Sequence, residues 1–137
     1  MHSPLIPVLR YRDAPAAIKW LCEVLGFARH QVFANADGSI AHAELTLGGG
    51  IIMLASAVKE GEYAKLIKQP DEVGGFSTQG SYVIVQDVDA VYQRALAAKA
   101  NIVIKLQDSE EGRGFSCKDV EGHVWSVGNY NPWAQAS

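Results

Sequence analysis

The feature that constrains this chain most is an internal echo between its two halves. Near the start, Ile6-Pro-Val8-Leu-Arg10-Tyr-Arg-Asp13 is a short strand pattern ending on an aspartate. Ile18, Leu21, Cys22 and Leu25 follow at helical spacing and form one apolar stripe of a 3.6-residue period. Asp13 suits the N-cap, because its carboxylate can accept the orphan N–H groups of the first turn. Gly26 suits the position just past the helix, where a positive φ is common. The second half repeats the plan. Tyr82-Val-Ile84-Val-Gln86-Asp87 ends on an aspartate, and Val88, Val91, Tyr92 and Ala95 give the same stripe. The second helix pattern runs out near Ala98-Lys99-Ala100 with no glycine to end it.

Strand-like segments follow in each half. In the first, Gln31–Phe33, Ala41–Leu47 and Gly50–Ala55 are separated by Asp37-Gly38 and by Gly48-Gly49-Gly50, both strong turn signals. In the second, Ile102–Lys105, Arg113–Lys118 and His123–Asn129 are separated by Asp108–Gly112 and by Asp119-Val-Glu-Gly122, which reads as a type I turn. Each half is therefore β-α-β-β-β, an α+β class. Between them Glu62–Lys68 reads as a short helix and Pro70–Gly80 as a linker. The predicted division is module one over 1–58, a connecting helix and linker over 59–79, and module two over 80–137 of a single domain. A lone ferredoxin-like domain with a coincidental element order is the competing reading.

A chain of 137 residues, 48% hydrophobic and 20% charged, is long enough to bury one core and too apolar to be disordered. A formal charge of −3 gives no footprint for nucleic acid. The longest apolar runs, such as Ile51–Ala55, fall far short of the roughly 18 residues of a membrane span. No charged-then-apolar leader opens the sequence, so the expected place is the cytoplasm. The two cysteines, Cys22 and Cys117, make no disulfide framework. Cys22 falls on the helix stripe and reads as a buried, reduced thiol, and nothing near Cys117 signals thiolate activation.

The duplicated order is similar to the vicinal oxygen chelate (glyoxalase/bleomycin resistance/dioxygenase) superfamily. Asp13-Ala-Pro-Ala-Ala-Ile18-Lys-Trp20 with its closing Leu25-Gly26-Phe27 resembles that family's first helix. Val85-Gln-Asp87-Val-Asp89-Ala-Val-Tyr92-Gln-Arg94-Ala95 resembles the start of its second module. Arg113-Gly-Phe115 through Asp119-Val-Glu121-Gly122-His123-Val-Trp125-Ser126 resembles the closing hairpin of its bleomycin-resistance-like branch, with Val120 where a proline is usual. The resemblance implies two tandem βαβββ modules forming a curved, cup-shaped mixed sheet. It also implies a homodimer that often exchanges modules.

Metal-dependent relatives hold one divalent cation with His, Gln or Glu side chains from each module's first and last strands. Counted from the two aspartates and the final strands, those positions fall at Ile6, Met53, Gly80 and Ser126, none a competent ligand for a hard cation. A one-residue shift makes Gln79 alone a candidate. The resemblance thus implies the fold without its usual metal site, and no cofactor is expected. His42 and Glu44, two apart on one strand, share a face and are the alternative metal pair, or else a polar stripe on a half-solvated strand. His123 reads as a surface or packing residue, and His2 and His30 have no convincing partners.

Strand alternation predicts what lines the cup in place of metal ligands: Ile6, Val8, Arg10, Ile51, Met53, Tyr82, Ile84, Val124 and Ser126. Such a wall suits a small aromatic or amphipathic molecule held by stacking, dispersion and one charge contact. The alternative is a face closed by the linker or a second subunit. Arg10 favours a ligand, because a buried unpaired guanidinium needs a partner. Trp133, in a polar tail, is expected to dock on the body or on a second subunit. Three readings follow: a metal-independent binder that confers antibiotic resistance by sequestration; a metal-dependent lyase, transferase or dioxygenase with a relocated site at His42 and Glu44; or a structural or regulatory dimer without its own ligand.

Overall fold

The computed structural model describes residues 2–134. Strand β1 (Val8–Tyr11) leads into α1 (Ala14–Trp20), which Asp13 caps by accepting the Ala16 N–H at 3.1 Å. The helix continues as a π-helical turn, Leu21–Leu25, closed by Gly26 at φ 92°. That wider turn rotates the expected stripe. Leu21, Val24 and Leu25 are buried, and Cys22 is left only half-buried. Strands β2 (Ala28–Ala34), β3 (Ile40–Leu47) and β4 (Gly50–Ser56) complete the first module.

The second module repeats this order with β5 (Ser81–Ile84), α2 (Val88–Ala97), β6 (Asn101–Ser109), β7 (Gly112–Lys118) and β8 (Val124–Gly128). Asp87 caps α2 through the Ala90 N–H, 3.0 Å away. The sheet orders are β1-β4-β3-β2 and β5-β8-β7-β6, with β1/β4 and β5/β8 parallel and the other pairs antiparallel. The fold is α+β, with two tandem βαβββ modules and no closed barrel.

Two expectations shift in detail. The predicted helix over Glu62–Lys68 is one short 3-10 turn instead, Tyr63–Lys65, and the predicted linker opens on another, Pro70–Val73. Lys68-Gln69-Pro70 explains the break, because the proline ring disfavours helical backbone in the residue before it. The outermost strands β2 and β6 are longer than predicted. Their patterns hide them, since β2 is exposed at every position and both carry register shifts.

One core serves both modules. The helix-facing sides of the sheets bury Tyr11, Leu45 and Leu54 in the first and Phe115, Trp125 and Val127 in the second. Phe27 meets Trp125 edge-on at 5.7 Å across the junction. Asp119, buried, accepts the Tyr11 hydroxyl at 2.6 Å and the Trp125 indole N–H at 2.9 Å. Its neighbour Glu121 accepts the backbone N–H groups of Arg12 and Asp13 at 2.7 and 2.8 Å. The final hairpin of module two thus grips the strand-to-helix corner of module one.

Candidate functional site

With the helices on one side of each sheet, alternation leaves the other side open. On β1, Tyr11 is in the core while Val8 is exposed and Arg10 half-buried. Register aligns Val8 with Met53 and Met53 with Glu44 across the sheet, and Arg10 with Ala55 in the next row. Val8, Arg10, Ile51 and Met53 therefore share the open face of the first sheet, and Ile6 lies in the segment before β1. Tyr82, Ile84, Val124 and Ser126 share that of the second, where Tyr82 pairs with Ser126. The two groups lie on separate sheets.

Their environments differ sharply. Ser126 is already engaged, its hydroxyl 2.8 Å from that of Ser116. The Tyr82 ring lies over Gly128, where an added Cβ would sit 2.7 Å from the phenol oxygen. That oxygen donates to the Tyr130 carbonyl at 2.7 Å. Partial burial raises the phenol's pKa and the Tyr130 hydrogen bond lowers it, with burial prevailing. Tyr82 is a ring fixed flat on its own sheet, with 45% of its surface exposed.

Arg10 is held differently. Its guanidinium carbon stands 4.6 Å above the centre of the Tyr63 ring, and its nearest hydrogen-bond acceptor is the Leu9 carbonyl at 3.4 Å. No carboxylate pairs with it among the described residues. Arg12, two residues on, is occupied by Asp71 at 2.6 Å and Glu72 at 3.5 Å, and the hydrogen bond to Arg12 lowers the Asp71 pKa. Arg10 stands where two clefts meet. One, of about 630 Å³, runs under the segment after β4 and is walled by Val58, Tyr63, Ile67 and Gln69. The other, of about 360 Å³, lies over Ala55 beside Asn35, Asp37 and Ser39.

Tyr63 and Gln69 escaped the sequence reading, because nothing local in a segment read as a connecting helix shows that it folds back over β1. His30 did too. His42 and Glu44 do share the open face, with His42 Nε2 2.8 Å from the Glu44 carboxylate, Phe33 stacked on the His42 ring and His30 Nε2 3.9 Å from Glu44. The bulged register of β2 is what brings His30 there. Among the described residues, no three His, Cys, Asp or Glu side chains are grouped so as to hold a metal ion. Ile6, Met53, Gly80 and Ser126 offer an alkyl group, a thioether, no side chain and an engaged hydroxyl, so they do not fit a hard divalent cation. His123 packs at the module junction, edge-on to Tyr11 at 4.8 Å, with Nε2 3.1 Å from the Arg10 carbonyl. Trp133 stands 82% exposed. Among the described residues, no helix is long and apolar enough to cross a membrane.

Comparison with known proteins agrees with this architecture. An uncharacterized protein of Mycobacterium bovis is 33% identical over 129 residues, covering 93% of this chain and 84% of the relative. Among solved structures, TioX from Micromonospora sp. ML1 superimposes with a TM-score of 0.70 at 36% identity, over 92% of this chain and 94% of that one. FosX, a fosfomycin resistance protein of Listeria monocytogenes, shares the fold at 14% identity, with a TM-score of 0.68 over 97% and 98% of the two chains. The family model for the glyoxalase/bleomycin resistance protein/dioxygenase superfamily matches residues 6–127. By its duplicated modules, its helix motifs and this match over nearly its whole length, the chain belongs to that superfamily.

Proposed function

We propose that this protein binds a small amphipathic or aromatic organic molecule without a metal and protects by sequestering it. The observation that carries the reading is Arg10, a guanidinium over the Tyr63 ring, unpaired with any carboxylate among the described residues, at the junction of two clefts beside an apolar sheet face. A charge so placed is costly to desolvate unless a ligand group completes it. Membership in a superfamily whose description names a bleomycin resistance protein supports resistance as the purpose. The reading places the protein in the cytoplasm, where both cysteines stay reduced, without nucleic acid or membrane partners. It makes the protein a homodimer, since Val8, Phe33, Tyr82, Ile84 and Ile104 stand 38–52% exposed on open sheet faces and edges. Sedimentation velocity checks that part, and a monomer at micromolar concentration rejects it.

The main test is melting temperature against a panel of aromatic antibiotics. A ligand at a hundred times its dissociation constant adds about 2.7 kcal/mol to stability, a shift of several degrees. Arg10→Ala should fold and lose that shift. No response from any compound sinks the reading. Elemental analysis of the purified protein tests the metal-dependent alternative. A near-stoichiometric metal lost in His42→Ala would replace the binder with an enzyme using His42 and Glu44.

A further inference from the structure

We infer that the molecule this site selects is an organic anion, seated in the larger cleft with its acid group on the Arg10 fork and a hydrogen-bond donor on Gln69. The inference rests on the binding reading above and adds to it the charge and the place. The cleft has the size of a small-molecule site, about 630 Å³. Val58, Tyr63 and Ile67 supply its apolar wall, and Ala57 and Ala64 keep it open.

The charges around it do not balance. Glu62 is engaged by Lys65 at 3.2 Å. Arg10, Lys59 and Lys68 line the same cleft without an ion pair among the described residues, against Glu60 and Glu72, since Arg12 is matched by Asp71 at 2.6 Å and reaches Glu72 only at 3.5 Å. The Tyr63 ring lies against the guanidinium, and apart from the Nη1 bond to the Leu9 carbonyl at 3.4 Å its N–H groups are left for a planar, two-oxygen acceptor.

The second observation is Gln69, 96% buried and part of the cleft wall. Its backbone N–H donates to the Glu72 carboxylate at 2.9 Å, and its backbone carbonyl accepts the Glu72 N–H at 2.9 Å. That N–H is therefore taken, and the buried Gln69 Oε1 has no hydrogen-bond partner among the described residues. An acceptor buried without a donor is unfavourable, and a hydroxyl or N–H on the ligand removes the penalty once the side chain turns its amide toward the cleft that Gln69 lines.

The test is calorimetric titration of the full chain with 2-naphthoate and with its uncharged methyl ester. The acid should bind about tenfold or more tighter than the ester, the scale of a charge-assisted pair. Arg10→Met, which keeps the stem over Tyr63, should erase that preference, and Arg10→Lys should restore only part of it because an ammonium cannot present the fork. Among the monohydroxy-2-naphthoates, at least one should bind about threefold or more tighter than the parent, and that gain should vanish in Gln69→Leu. Circular dichroism confirms that each variant is folded. Equal binding of acid and ester, or a preference that survives Arg10→Met, overturns the anion inference and leaves the binding reading standing. No gain from any hydroxyl isomer overturns the role of Gln69. Neither probe binding while an antibiotic still shifts the melting temperature also overturns the inference alone. Silence from both probes and the whole panel brings down the binding reading, and the inference with it.

Discussion

Asp119 shows how much one side chain can hold. Its two carboxylate oxygens accept the Tyr11 hydroxyl, the Trp125 indole N–H and the backbone N–H groups of Glu121 and His123. Asp119→Ala would leave four donors without an acceptor, and we expect a loss of about 3 kcal/mol or more in urea unfolding. Tyr11 adds a pH signature. Burial first, then the Asp119 charge and hydrogen bond, raise its phenol well above the ordinary value of 10.0. The folded state therefore holds that proton more tightly than the unfolded chain. The stability this contributes is complete below pH 10 or so and drains away as the pH rises further. Tyr11→Phe should cost about 1.5–3 kcal/mol at pH 7 and decline less steeply than the parent above pH 10. Equal alkaline slopes would refute this. The cysteines differ in the same physical terms. Burial pushes the Cys117 thiol up to about 11, whereas Cys22 is half-buried with a smaller upward shift. A disulfide reagent at pH 8 should titrate Cys22 in the native protein and reach Cys117 only on unfolding.

At the scale of elements, the two halves solve the same problem with unequal means. Both helices start on an aspartate cap, but only the first ends on a glycine. The second ends through Lys99 at φ 57°, the one non-glycine residue with positive φ among those described. An L side chain in that conformation costs on the order of 1 kcal/mol. Lys99→Gly should recover about 0.5–1 kcal/mol, visible as a higher urea midpoint with an unchanged slope. The short strands β1 and β5, the helix caps and the closing turn were legible because each depends on chain neighbours. Strands β2 and β6 were only partly legible. An edge strand buries too little for alternation to survive, and a bulge interrupts the period.

On the scale of the whole molecule, the modules share one core and should unfold as one. Phe27 against Trp125 and the Arg94 Nε–H donating to the Val24 carbonyl at 3.0 Å tie them together, along with Glu121 at the corner. Glu121→Ala should lower stability by roughly 1–3 kcal/mol and keep a single transition. Two transitions, separated between near- and far-ultraviolet circular dichroism, would show instead that the modules are independent.

The sequence alone was enough to determine the duplicated plan, both helix starts, the Asp119–Gly122 turn and which side chains of β1, β4, β5 and β8 turn away from the helices. Each follows from a period or a cap acting over a few residues. It also showed that the positions where the resemblance would put metal ligands, Ile6, Met53, Gly80 and Ser126, lack a carboxylate or imidazole, because side-chain chemistry is legible residue by residue. Only the tertiary structure decided what surrounds Arg10. Its sheet neighbour Ala55 comes from 45 residues along the chain, Tyr63 arrives from a fold-back that no periodicity announces, and Arg12 is neutralised by Asp71 across the same segment. Contacts between residues so far apart depend on where whole elements pack, and local pattern carries no record of that.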